Sequence, residues 1–330
     1  MNKKILSSIV SVLCLMSIPA YADVFNQVNL NSDQLSIANM EIGTKTWLST
    51  GGMEWNHAAQ GTSLGDPTSV LEYKDATSLM LELNGRADLN NGYFVRGTVG
   101  IGQIYSGVLE DSDYLSPEAA AASNGPERFS LSKMNIEEDD TVTASIDVGA
   151  VLFKKGNLKT DIYAGYRYWR ESYKTYGLTQ VEDPYSLFGG TGKSVADSVN
   201  VISNEVTWHS VRIGLDSTLR ISSRVDLGFD LALIPYTKMH NEDRHHLRTD
   251  LSQNPSVEMD GSGYGGEIEL DLTYHASANL DLSIGARYWS IVSDGDIDII
   301  AADGSKATGL KLNDLDASRY GVTAGMSYRF

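Results

Sequence analysis

The sequence predicts an all-β fold: a transmembrane antiparallel β-barrel of about ten strands. Three observations predict it. Segment after segment alternates apolar with polar residues, the period of a strand with two unlike faces. The polar face is rich in Asp, Glu, Arg and Gly and poor in Lys, which suits a crowded interior where opposite charges pair and small residues leave room. Short turns also alternate with long loops, as in bacterial outer-membrane barrels.

The N-terminus comes first. Lys3 and Lys4 precede an apolar run from Ile5 to Ile18, and Ala20-Tyr21-Ala22 closes it. Positive flank, short apolar core and A-x-A ending together predict a secretory signal peptide over 1–22, leaving 23–330 as a single barrel domain. The run is too short for a comfortable membrane anchor. The one cysteine, Cys14, lies inside it, so neither a disulfide framework nor thiol chemistry is available to the exported chain.

Strands are expected near 35–48, 69–88, 93–103, 140–153, 158–180, 204–221, 224–239, 263–275, 279–293 and 316–330. In the fourth, Val142, Ala144, Ile146 and Val148 alternate with Thr143, Ser145, Asp147 and Gly149. The seventh is the clearest: Val225, Leu227, Phe229, Leu231 and Leu233 point one way, and Asp226, Gly228, Asp230 and Ala232 the other. The apolar faces often end in Tyr, as lipid-facing bands with aromatic girdles do. A charge on such a face costs about 2–4 kcal/mol near the midplane, and almost none is found there. Short turns fall at 90–92, 154–157, 222–223 and 275–279, and long acidic or Gly-rich loops near 49–68, 104–139, 181–203, 240–262 and 294–315. The ending Tyr328-Arg329-Phe330 resembles the C-terminal signal read during outer-membrane assembly.

The formal net charge is −17, which argues against nucleic acid as a partner. Wide channels need about sixteen strands, so a narrow barrel with a charged interior is a poor bulk porin and its function belongs at the loop end. Gly189-Gly190-Thr191-Gly192-Lys193-Ser194 resembles the end of a phosphate-binding loop, but Leu187 stands where that motif needs Gly. No HExxH or Gly-x-Ser-x-Gly motif is present.

Two constellations carry possible chemistry. Asp111 and Asp113 lie two apart at the outer end of the third strand, so on an extended segment both carboxylates face one side. Held close, they raise one pKa and share a proton or bind a polarised water; an ordinary solvated acidic loop fits the same residues. Asp243 and His245 repeat that spacing after the seventh strand, within His240-Asn241-Glu242-Asp243-Arg244-His245-His246. A carboxylate beside an imidazole prepares a general base. Metal binding, or a solvated polar tip, fits the same residues.

Taken together, the architecture, the Asp-x-Asp and the Asp-x-His resemble the omptin family, outer-membrane endopeptidases of Gram-negative bacteria. Ser69-Val-Leu-Glu-Tyr-Lys74 and Ala164-Gly165-Tyr166 resemble further segments of it. The resemblance implies a catalytic set of Asp111, Asp113, Asp243 and His245, with the water held between dyad and acid pair. Asp243 orients His245, which deprotonates the water, and no acyl-enzyme forms. Where the family places its substrate-binding acids, this chain has Thr46 and Asn241, with Glu242 adjacent. Tyr166 and Arg170 match part of the family's lipopolysaccharide-binding wall. The implied protein is a bacterial outer-membrane endopeptidase with its active face outside the cell, acting on polypeptides at the surface. It touches membrane lipid and needs no cofactor or metal, with lipopolysaccharide as its activator. A catalytically inactive barrel serving as adhesin or structural protein is the alternative, and a small channel the third reading.

Overall fold

The computed structural model describes residues 36–137 and 139–330; the expected signal peptide lies outside them. The described residues form β1 (Ile37–Ala59), β2 (Leu64–Leu89), β3 (Tyr93–Leu115), α1 (Pro117–Ala122), β4 (Arg128–Glu137), β5 (Asp139–Lys155), β6 (Leu158–Glu182), β7 (Ser194–Arg220), β8 (Val225–His245), β9 (Val257–His275), β10 (Leu280–Ile299) and β11 (Leu310–Arg329). The strands join in one antiparallel sheet that closes on itself. Its eleven strands make ten staves. β5 pairs with the inner half of β3, Tyr93–Ile104, and β4 with the outer half, Gly107–Tyr114. Among the described residues, closure leaves no long strand edge for a second chain to pair with.

The expected strands are in place but longer. Most of the segments expected as loops are strand, and the outer connections shrink to 60–63, 116–127, 183–193, 246–256 and 300–309. α1, capped by Ser116, lies in the second of these. The alternation stops being visible there because the outer wall leaves the lipid and turns polar, while the inward face mixes core residues such as Met53, Leu109 and Met239 with polar ones.

Exposed apolar residues define the lipid band. Tyr236, Tyr264 and Tyr320 ring it on one side; Tyr274, Tyr328 and Phe330 ring it on the other, beside the short turns. From Tyr264 to Tyr274 is ten residues of β9, about 33 Å of strand at ~3.3 Å each. At a tilt of ~40° that is about 25 Å, the height of an outer-membrane band.

Inside, the predicted polar face is a paired ionic layer. Arg287 donates to Glu82 (2.7 and 3.0 Å) and Glu269 (2.7 Å), Arg212 to Asp147 (2.8 Å), and Arg86 to Asp161 (2.6 Å). Pairing is what makes buried charge tolerable. Gly214 is needed here: a Cβ would lie 2.2 Å from the Tyr163 ring. Around the short-turn side of this layer is a polar cavity of about 420 Å³, lined by Lys45, Arg86, Glu269 and Asp271 among others. Above it the barrel is filled. Trp47, Trp169, Trp289 and Trp208 follow one another edge to face at 6.0, 5.1 and 5.9 Å, packed with Met80, Ile104 and Met239.

Candidate active site

The residues that matter sit on the strand extensions above this aromatic floor, and local irregularities aim them. In the lower part of β8 the inward residues carry even numbers, such as Asp226 and Ala232. One extra residue then enters at Pro235: the ladder steps from Leu233 to Tyr236 against Val211–Ile213 of β7, and from Ile234 to Thr237 against Gly263–Gly265 of β9. Proline has no N–H to give the ladder and is at home in such a bulge. Beyond it the inward set becomes Thr237, Met239, Asn241, Asp243 and His245. Without the extra residue, Asp243 and His245 would share the outward face of Leu227 and Leu233. β3 does the same. Its ladder with β2 is irregular between Lys74 and Ser78, and the buried set changes from Phe94, Gly100 and Ile104 to Leu109, with Asp111 and Asp113 continuing that register.

Asp243 is fully buried, and its Oδ1 lies 3.6 Å from His245 Nε2. Among the described residues neither atom has another partner, so the two polar atoms face each other across a gap a little longer than a hydrogen bond. Asn204 of β7 donates to Asp243 Oδ2 at 3.5 Å and exchanges amide hydrogen bonds with Asn241 at 3.0 and 3.1 Å. The backbone is clamped too. His245 N donates to Ser256 Oγ (3.0 Å), and Ser256 N to the Asp243 carbonyl (2.8 Å).

Opposite, Asp111 and Asp113 stand between serines: Ser69 Oγ donates to Asp111 at 3.3 Å, and Ser69 and Ser130 are the ladder partners of Asp113 on either side. The two walls are near enough to interact. Burial first, then the Asp113 charge and the Asp243 charge, hold Asp111 well above the usual carboxylate range, while Ser69 and Arg248 oppose them. Asp113 is raised as well, chiefly by burial. Two carboxylates so close keep a proton between them. Burial pushes Asp243 up to about 7, against the hydrogen bonds from Asn204 and the Arg244 backbone. Burial and the nearby Arg248, His246 and His57 lower His245 to about 4. Around neutrality the imidazole is therefore uncharged and able to take a proton.

Three groove residues were not apparent from the sequence. The Tyr73 hydroxyl is buried without a partner and feels both Asp243 and Asp111. Arg248, bound to Asp250 at 2.7 and 2.8 Å, projects its charge onto Asp111, Asp113 and His245. His57 lies in the inward register of β1 after Met53 and Trp55. The signal for it was that register, once β1 is known to continue beyond residue 48.

Other expected site residues lie elsewhere. Thr46 pairs with Leu81 and Ala324 in the outward register of Ile42 and Leu48. It therefore faces the lipid side, and its assignment to substrate binding is corrected. Glu242 is corrected likewise: it faces outward between Asp243 and Asn241, with Arg244 at 3.2 Å and His240 at 3.7 Å. Asn241 faces inward but is fully buried beneath Asp243. Tyr166 and Arg170 share the outer wall of β6. The Tyr166 hydroxyl meets His209 Nδ1 at 2.5 Å, and Arg170 is held by Asp140 and Glu205. Among the described residues, the cluster able to converge on a metal is His240, Glu258 and Asp260. It too is on the outside of the wall.

Against solved structures, the chain is similar to the outer-membrane protease OmpT of Escherichia coli, at TM-score 0.73 and 14% identity over 90% of this chain and 98% of that one. Looser likenesses are to the NalP autotransporter translocator domain of Neisseria meningitidis (TM-score 0.36, 12% identity, 89% of this chain and 90% of that one) and to Ail, the attachment invasion locus protein of Yersinia pestis (TM-score 0.27, 11% identity, 87% and 98%). No curated protein matches by sequence. The OmpT likeness is one of fold. In sequence, the family model described as Protochlamydia outer membrane protein matches residues 50–330, and the chain, an outer-membrane β-barrel, belongs to that family.

Proposed function

We propose that the protein is an endopeptidase of omptin type, hydrolysing peptide bonds in polypeptides that enter the groove from outside the cell. The observation that carries this reading is the facing of an acid pair, Asp111 and Asp113, by an Asp243–His245 dyad whose opposed atoms have no other partner. Buried polar atoms left so are where a water is retained. His245 takes a proton from that water as it attacks the carbonyl carbon, and the Asp243 charge 3.6 Å away stabilises the imidazolium. The acid pair positions the water on the opposite side. His245 then returns its proton to the departing amine, without an acyl-enzyme.

The short turns with Phe330 lie at one end of the barrel and the groove at the other, which sets the groove outside if the turns are periplasmic. Lipopolysaccharide would meet Tyr166 and Arg170 just beyond the lipid band. To bind its phosphates, Arg170 must exchange Asp140 or Glu205 for them.

The test is cleavage of a peptide library by refolded protein, with and without lipopolysaccharide. Cleavage by the wild type, lost by about 10²-fold or more in Asp111→Asn, is expected. Equal cleavage by the variant removes the acid pair from the mechanism. A non-catalytic barrel that presents its loops to a partner is favoured by one feature, the exposed Leu187 and Phe188 at the rim. Absence of cleavage under both lipid conditions supports that second reading.

A further inference from the structure

Neither the proposed dyad nor the acid pair has a free hydrogen-bond donor for the oxygen of the carbonyl under attack. The proton of the acid pair is shared between Asp111 and Asp113, Asp243 offers acceptors when ionised, and His245 is occupied with the water's proton. Yet that oxygen gains a full negative charge in the addition step, and stabilising it is usually a large part of catalysis.

We propose that His57 is a catalytic residue that donates to this oxyanion. The inference rests on the proposed peptidase reading and adds a member to the site. Its position supports it. His57 pairs across the ladder with Ser69, which donates to Asp111 and is itself the ladder partner of Asp113. It is also near enough to His245 for the two imidazoles to interact. It therefore stands beside the acid pair and faces the dyad. His57 is 6% exposed; among the described residues its Nδ1 is buried without a partner, and its ring neighbour is Trp55 at 6.0 Å. Neither ring nitrogen is committed to a protein acceptor among the described residues, so the N–H is free for a ligand. Burial also lowers the group to about 4, which keeps the imidazole neutral, and a neutral imidazole still carries one N–H.

The step balances without a proton leaving His57. Water oxygen bonds to the carbonyl carbon while its proton goes to His245, and the carbonyl π pair becomes the oxyanion that accepts from His57. Collapse re-forms the carbonyl and breaks the C–N bond, the nitrogen taking the proton from His245.

The experiment compares wild type, His57→Ala, His57→Gln and His57→Asn as refolded barrels, on one peptide the wild type cleaves. Heat-modifiable migration confirms folding of each. The expected result is a fall in kcat of about 100-fold in His57→Ala with little change in KM, and partial recovery in whichever amide variant restores an N–H donor. Wild-type kcat in His57→Ala overturns the proposal while leaving the peptidase reading intact. A loss that neither amide recovers, with KM raised in step, also overturns it and makes His57 a packing residue. No cleavage by the wild type removes the peptidase reading, and this inference with it.

Discussion

Burial holds the Asp243 carboxyl at about 7 against an ordinary value of 3.8. The folded protein therefore binds this proton more tightly than the unfolded chain. The resulting cost is absent below about pH 4, grows as pH rises through the window between 3.8 and 7, and is fully present above it. Asp243→Asn removes the cost. At pH 8 it should raise the unfolding free energy, read from denaturant titration, by an amount on the order of 4 kcal/mol at most, leave it unchanged at pH 4, and abolish cleavage. A variant both inactive and more stable is the mark of a residue kept for function. The same ionisation sets the rate: kcat/KM should climb with pH through about 7 as the charge that supports the imidazolium appears. A limb near pH 4 in the rate profile would instead assign control to His245, whose value is about 4.

Strands rather than loops hold the chemistry, and the bulge at Pro235 decides which way β8 aims it. Deleting Pro235 should turn Asp243 and His245 to the outer wall and bring cleavage to background. A Met239→Cys reporter reads the change directly, because Met239 is fully buried and the sole native cysteine is Cys14. Maleimide should label the reporter only in the deletion background; labelling in neither, with cleavage retained, contradicts the account. The bulge also explains what the sequence made legible. Period-two patterning is plain in Val225–Leu233 because one face meets lipid and the other paired charge. It fades beyond, where the outer wall carries Lys238, Glu242 and Arg244 and the inward parity has changed. The spacing of Asp111–Asp113 and Asp243–His245 survives because both members shift together. Thr46 and Glu242 were misplaced for the complementary reason: each is one residue off the inward register of its strand. His57 stayed hidden as a lone histidine in a segment expected to be a loop.

As a whole molecule the barrel is a closed wall with a filled waist, so the channel reading fares worst. The cavity of about 420 Å³ below is separated from the groove by the layer of Trp47, Trp169, Trp208 and Trp289. Wild-type protein in a planar bilayer should give no steady conductance, and Trp169→Ala with Trp289→Ala should open one if the barrel survives the loss, about 3–5 kcal/mol per tryptophan. Conductance in the wild type contradicts a plugged waist. The arrangement leaves chemistry at the rim, where the acid pair faces the dyad. The most direct measurement is the fragmentation of an unfolded protein by refolded wild type and by His245→Ala, read by mass spectrometry after both are seen to migrate as folded, heat-modifiable barrels. Fragments from the wild type alone are the predicted result; no fragments from the wild type, or the same fragments at the same rate from His245→Ala, contradict it.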